Sequence, residues 1–211
     1  MLPGIVDFIL HIDTHLDAIV TLYPTLSYLF LFLIIFVETG LVVMPFLPGD
    51  SLLFVVGALS AVGSLNLFFS FFILFFAAVF GDTVNYHLGK YFGPRVFRAK
   101  SSWFFNKEHL LRAQSFYDKH GKKTIVLARF VPIVRTFAPF VAGIGNMRYR
   151  DFIWYNLVGA FVWCGLFIFG GYFFGNIPFI QDNFGSFILV IIFVSLMPLV
   201  IEVVRGFVKK K

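Results

Sequence analysis

The chain has 211 residues, of which 59% are hydrophobic and 13% charged, with a mean hydropathy of +0.89 and a formal net charge of +6. Those values exclude an ordinary soluble domain, and the length leaves no room for a soluble enzyme domain beside a helical bundle. The single cysteine, Cys164, sits beside Trp163 in an apolar stretch, which excludes an intrachain disulfide and a cysteine metal site.

Residues 5–22, IVDFILHIDTHLDAIVTL, place Asp7, His11, Thr14 and Asp17 on one helical face and Ile9, Ile12, Leu16 and Ile19 on the other. This pattern predicts an interfacial amphipathic helix over 1–25, with His11 and His15 on its solvated face rather than on a metal. The start lacks a basic region and a small-residue cleavage site, so an unprocessed chain is expected. Tyr23-Pro24 breaks the pattern before the first long apolar run.

That run, residues 29–59, carries Glu38 and Asp50 around Pro45, Pro48 and Gly49. A proline removes a backbone donor and a glycine permits positive φ, so PFLPGD reads as a sharp turn, with Asp50 and Ser51 able to cap the next helix. The return segment, 51–62, is too short to span a bilayer. A re-entrant hairpin is therefore predicted, with a full span from Leu26 to Phe46 as the rival. A spanning helix follows from Leu65, becoming polar after Gly81, where Asp82 and Asn85 share a face. They line the same route as the other charges or satisfy groups at a helix end.

Residues 94–123 hold eight Lys and Arg against Glu108 and Asp118, a balance of 8 − 2 = +6. A cytoplasmic loop obeying the positive-inside rule accounts for this without a nucleic-acid partner. The second broken run, 124–145, carries Arg129 and Arg135 around Pro132 and Pro139. A second re-entrant hairpin and a spanning helix from Phe152 to about Gly175 are predicted there. A short connection then leads to a last apolar helix, Phe184 to Val204, and a basic tail. Trp103 and Trp154 fit the interfacial aromatic belt.

With the basic stretches in the cytoplasm, the two hairpins open from opposite sides and the acidic N-terminal helix lies outside. Gly63, Gly89 and Gly93 recur 82 residues on as Gly145, Gly171 and Gly175. Glu38 and Pro48 align with Arg129 and Pro139 at an offset of 91. The expected fold is thus an all-α membrane protein, an inverted repeat of two re-entrant helical hairpins plus spanning helices. Its parts are 1–25, a first repeat over 26–93, the basic loop 94–123, a second repeat over 124–175, and a C-terminal span and tail over 176–211.

A charge at bilayer depth costs a few kcal/mol, so it faces a cavity, pairs, or marks a substrate path. Arginine stays protonated when buried and offers a planar fork for phosphate or carboxylate oxygens. Six positions apart, Arg129 and Arg135 diverge on an unbroken helix, but a turn near Pro132 can bring both to one cavity. Glu38 changes protonation with the occupancy of the arginines, because desolvation raises a carboxylate pKa and a neighbouring arginine lowers it. The alternative is a permanent acid–arginine pair that only locks the hairpins together. No nucleophile and base, P-loop or metal-ligand pair is evident in the apolar segments, so no enzyme activity, cofactor or metal is expected.

Three segments carry a resemblance: FVETGLVVMPFLPGDSLLFVVGAL at 36–59, GDTVNYHLGKYFG at 81–93 and ARFVPIVRTFAPFVAG at 128–143. In these blocks, and along almost its whole length, the chain resembles the bacterial DedA family of membrane proteins. The resemblance implies an integral, multi-pass protein of the inner membrane with two opposed re-entrant hairpins, and the basic tail puts its C-terminus in the cytoplasm. It implies a lipid transporter (flippase) dependent on the proton-motive force, with undecaprenyl phosphate as the favoured cargo. Phosphatidylethanolamine or another phospholipid is the runner-up, and a proton-coupled small-ion antiporter is a different class. The family's functional acids correspond to Glu38 and Asp50 and its arginines to Arg129 and Arg135. The expected partners are a membrane lipid and protons; a homo-oligomer is left open.

Overall fold

The computed structural model describes residues 22–41, 49–96, 107–145, 147–182, 185–187 and 190–191. Every regular element among these is helical: α1 (Pro24–Gly40), α2 (Gly49–Ala61), α3 (Leu67–Val96), α4 (Lys107–His120), α5 (Thr124–Leu127), α6 (Pro132–Ile144), α7 (Tyr149–Gly175) and α8 (Pro178–Asp182). Within α3 and α7, Leu67–Phe92 and Tyr149–Gly175 are long and apolar enough to cross a bilayer. The predicted N-terminal amphipathic helix, Pro45, Pro48 and most of the last apolar helix lie outside the described residues.

The 17 residues of α1 reach about 25 Å at 1.5 Å per residue, short of a bilayer core of about 30 Å. The helix ends at Gly40, and residues 42–46 of the rival span from Leu26 to Phe46 lie outside the described residues. Gly49 is the buried first residue of α2. The second broken run does break, at Val131, whose extended backbone (φ −118°, ψ 105°) separates a 3-10 turn, Ala128–Phe130, from α6. Pro132 opens α6, where its missing N–H costs nothing. Pro139, read from the sequence as a hairpin turn, instead lies inside α6 and is buried there. The basic stretch is not all loop either: α3 continues to Val96, and α4 occupies Lys107–His120.

The chain divides into two compact units. One comprises Met1–Phe30, Pro48–Phe71 and Gly165–Lys211; the other comprises Leu31–Leu47 and Phe72–Cys164. In the first, Asn66 caps α3 by accepting from the Phe69 N–H (2.9 Å), while its own N–H donates to the Tyr28 hydroxyl (2.8 Å). There α2 lies against the end of α7 at van der Waals range. A Cβ on Gly57 would collide with the Ile168 carbonyl, and one on Gly171 with the Phe54 carbonyl.

The second unit contains the same kind of contact between α6 and α3. A Cβ on Gly89 would collide with the Phe140 carbonyl, and one on Gly143 with the Tyr86 carbonyl. Tyr86 stacks on Phe152 (4.4 Å between ring centres) and its hydroxyl donates to the Met147 carbonyl. The apolar side of α4 packs on α6: Ala113 is buried with Ala128, Val134, Phe137 and Phe140. Beyond this core, Lys122 donates to Asp151 (2.6 Å), a half-exposed pair that contributes little to stability.

Candidate functional site

Four charged side chains meet inside the second unit. Glu38 stands in the last turn of α1, Asp82 in α3, Arg129 in the 3-10 turn before the break, and Arg135 in the first turns of α6. Arg135 donates through Nη2 to Glu38 Oε1. Arg129 donates through Nη2 to Asp82 Oδ2 (2.5 Å) and to Asn156 Oδ1 (2.7 Å). Glu38, Asp82 and Arg129 are 1%, 5% and 6% exposed, so these are desolvated pairs, unlike Lys122–Asp151. Removing one member of such a pair leaves a buried charge and costs about 3–5 kcal/mol.

The break at Val131 is what makes this arrangement possible. On one regular helix, residues six apart diverge by about 120°. The extended residue re-aims the chain so that both guanidinium groups face the ring of Trp163. Their central carbons lie 5.5 Å (Arg129) and 5.8 Å (Arg135) from its centre. Cation–π attraction adds about 0.5–2 kcal/mol at such contacts. The cavity is lined by Glu38, Thr39, Asp82, Arg129, Arg135, Thr136 and Trp163. It leaves about 20 Å³ for water centres, room for about one or two ordered waters. That space is far too small for a whole lipid.

Polar groups on α3 and α7 fix the positions of the charges. One turn beyond Asp82, Asn85 donates through Nδ2 to the carbonyls of Thr39 (3.0 Å) and Thr136 (2.8 Å). Those two residues directly follow Glu38 and Arg135, so Asn85 bolts together the backbones that carry the ion pair. Asn156 is fully buried and anchors its own amide by donating to the Val79 carbonyl (3.1 Å). Two glycines make room for the cluster. A Cβ on Gly81 would strike Thr39 Oγ1, and one on Gly159 would press within 3.2 Å of Arg129 Cδ and Nε.

Of the residues selected from the sequence, the structure brings Glu38, Arg129 and Arg135 to one cavity and adds Asp82 to them. Asn85 supports the cluster from behind. Asp50 belongs to the other unit, in the first turn of α2. Sequence reasoning missed Asn156 and Trp163. Asn156 is a lone amide within an apolar span, which by itself signals an interior position. Trp163 lies in the body of α7, away from the interfacial ends where tryptophan collects.

Residues 47–173 match the family model described as the VTT domain, a segment that includes Asp82, Arg129, Arg135 and Trp163 and begins just after Glu38. The chain is 54% identical to "Protein DedA" of Escherichia coli (strain K12) over 95% of its own length and 93% of the relative's. It is 39% identical to "Uncharacterized membrane protein ML0287" of Mycobacterium leprae (strain TN), covering 90% and 92%. It is 30% identical to "Inner membrane protein YghB" of Escherichia coli (strain K12), covering 88% and 83%. No solved structure matches. With a membrane composition, two helices fit to span and these relationships along nearly its whole length, the chain belongs to the DedA family of membrane proteins.

Proposed function

We propose that the protein is a carrier that moves a phosphate-bearing lipid across the membrane in exchange with protons, undecaprenyl phosphate being the first cargo to test. The observation that carries this is the convergence of Arg129 and Arg135 on one buried cavity from opposite sides of the break at Val131. Two planar forks at one point suit a tetrahedral phosphate, which offers several oxygens at once. Glu38, bonded to Arg135, supplies a group that can exchange a proton when an anion takes its place. Phospholipids with a phosphate head group, such as phosphatidylethanolamine, satisfy the same chemistry.

Movement between leaflets requires the site to open alternately to each side, and an inverted repeat provides two related gates. The glycine contacts support such a repeat. Gly89 and Gly171 are 82 residues apart, as are Tyr86 and Ile168. Gly57 and Gly143 are 86 apart, as are Phe54 and Phe140. Each short helix after a break, α2 or α6, thus meets a long helix through an equivalent quartet. In this reading α1–α2 and α5–α6 are re-entrant hairpins entering an inner membrane from opposite faces, with the C-terminus in the cytoplasm.

One observation favours a second reading. A cavity with space for only one or two waters suits a proton-coupled small-ion exchanger as it stands. Vesicles reconstituted with the purified protein separate the two. Measured movement of labelled undecaprenyl phosphate or phosphatidylethanolamine between leaflets, faster under an imposed proton gradient, supports the carrier. Proton flux driven by a cation gradient with no lipid movement supports the exchanger and refutes the carrier.

A further inference from the structure

The cluster is formally neutral: Arg129 and Arg135 are balanced by Glu38 and Asp82. An anionic head group therefore gains an arginine only by taking a carboxylate's place on it. We propose that Asp82 is the displaceable counter-ion of Arg129, its carboxylate occupying in the closed state the position that the substrate's phosphate takes in the loaded state. This rests on the carrier function proposed above and adds to it a third acid, one that sits against an arginine of the cavity.

Three features of Arg129 favour exchange at this pair. First, its Nη2 also donates to the neutral Asn156 Oδ1, and Asn156 is tied to the Val79 carbonyl. Arg129 thus keeps one bond and its position when Asp82 withdraws. Second, Arg129 Nε is buried with no hydrogen-bond partner among the described residues. An unmade buried donor is unfavourable, so the guanidinium retains donor capacity for an incoming acceptor. Third, Asp82 stays within the same cavity wall as Arg135, which limits the cost of parting it from Arg129. Asn85 differs in kind, since it holds main-chain carbonyls that no anion can replace. The face of α3 thus divides its labour: Asp82 exchanges and Asn85 holds.

Counter-ion and structural lock differ in the direction of one effect. The test measures binding of two probes to the full-length protein in detergent: farnesyl phosphate and dioctanoyl phosphatidylethanolamine, with farnesol as the uncharged control. Trp163 fluorescence reports on the site in a Trp103→Phe/Trp154→Phe background. Asp82→Asn keeps size and a bond to Arg129 but removes the competing charge, so the phosphate probe should bind at least about tenfold tighter. Asn156→Asp adds a second competing carboxylate and should weaken binding by a similar factor. The double variant Asp82→Asn/Asn156→Asp restores the charge count on Arg129 and should return affinity to near the parent value. It also keeps the buried arginine neutralised if the single Asp82→Asn protein fails to fold.

A folded Asp82→Asn protein with unchanged or weaker binding overturns the proposal, as does a double variant that binds tenfold more weakly than the parent. No saturable binding of either phosphate probe by the parent overturns the carrier function and this proposal with it. Which of the two probes binds identifies the lipid class.

Discussion

Arg129 and Arg135 are six residues apart, a spacing at which a regular helix would splay them by about 120°, yet both stand over the ring of Trp163 within 6 Å of its centre. A single extended residue, Val131, produces this. In an apolar medium two cations converge only if each is neutralised, and Glu38 and Asp82 do that.

The arginine forks are expected to matter beyond their charge. Arg129→Lys and Arg135→Lys keep the cation but lose the planar pair of donors and much of the contact with Trp163. Each should lower the lipid-transport rate in reconstituted vesicles by about tenfold or more, ~1.4 kcal/mol, while helical content by circular dichroism stays unchanged. Parent-like transport by both lysine variants would reduce the arginines to point charges.

Coupling is expected to depend on Glu38. Glu38→Gln preserves size but cannot exchange a proton, so cargo binding should persist while the response to an imposed proton gradient disappears. Because Arg135 loses its counter-charge, the melting temperature should also fall, reflecting up to about 3–5 kcal/mol. Asp50→Asn belongs in the same assay. A gradient response unchanged in both variants leaves the acids as structural partners of the arginines.

Asn85 is expected to hold the Glu38–Arg135 pair in register rather than to bind cargo. Asn85→Ala removes both side-chain bonds to the carbonyls of Thr39 and Thr136, each worth about 0.5–1.5 kcal/mol. Transport should fall without a change in which lipid is preferred. A switch in lipid preference would instead place Asn85 in contact with the cargo.

Gly159 is expected to set the room available to Arg129. Gly159→Ala brings a methyl group within 3.2 Å of Arg129 Cδ and Nε and of the Val126 backbone. Such overpacking costs about 1–3 kcal/mol. Binding of a phosphate probe should weaken more than in Gly165→Ala, where the nearest atom to the added methyl is 3.9 Å away on the Phe71 ring. Equal effects at the two glycines would argue against a specific role.

Sidedness tests the inverted repeat. Cysteines introduced near Pro48 should label from outside and those near Lys122 from inside, in a Cys164→Ser background. Labelling of both from one side rules out hairpins that open oppositely.

Much of this molecule was legible in the sequence because its causes are local. Lipid as solvent follows from composition, the long spans from runs of apolar residues, and the break near Pro132 from a ring that cannot donate a hydrogen bond. That Glu38, Arg129 and Arg135 belong to one interior place was legible too, since a charge in an apolar run has few reasons to be there. Which acid meets which arginine was not. Arg129 bonds Asp82 across 47 residues and Arg135 bonds Glu38 across 97, and no local pattern encodes such distances. Helix packing decides them. Gly81 lets the end of α1 settle on α3, Gly159 lets Arg129 lie along α7, and Asn85 then fixes two backbones that the sequence leaves far apart. Asp82 sits against Arg129, Asp50 falls in the other unit, and Trp163 lies beneath both cations, all because side chains reach only about one helix diameter. Composition and chain breaks chose the medium and the charged residues; close packing at a few glycines chose the partners.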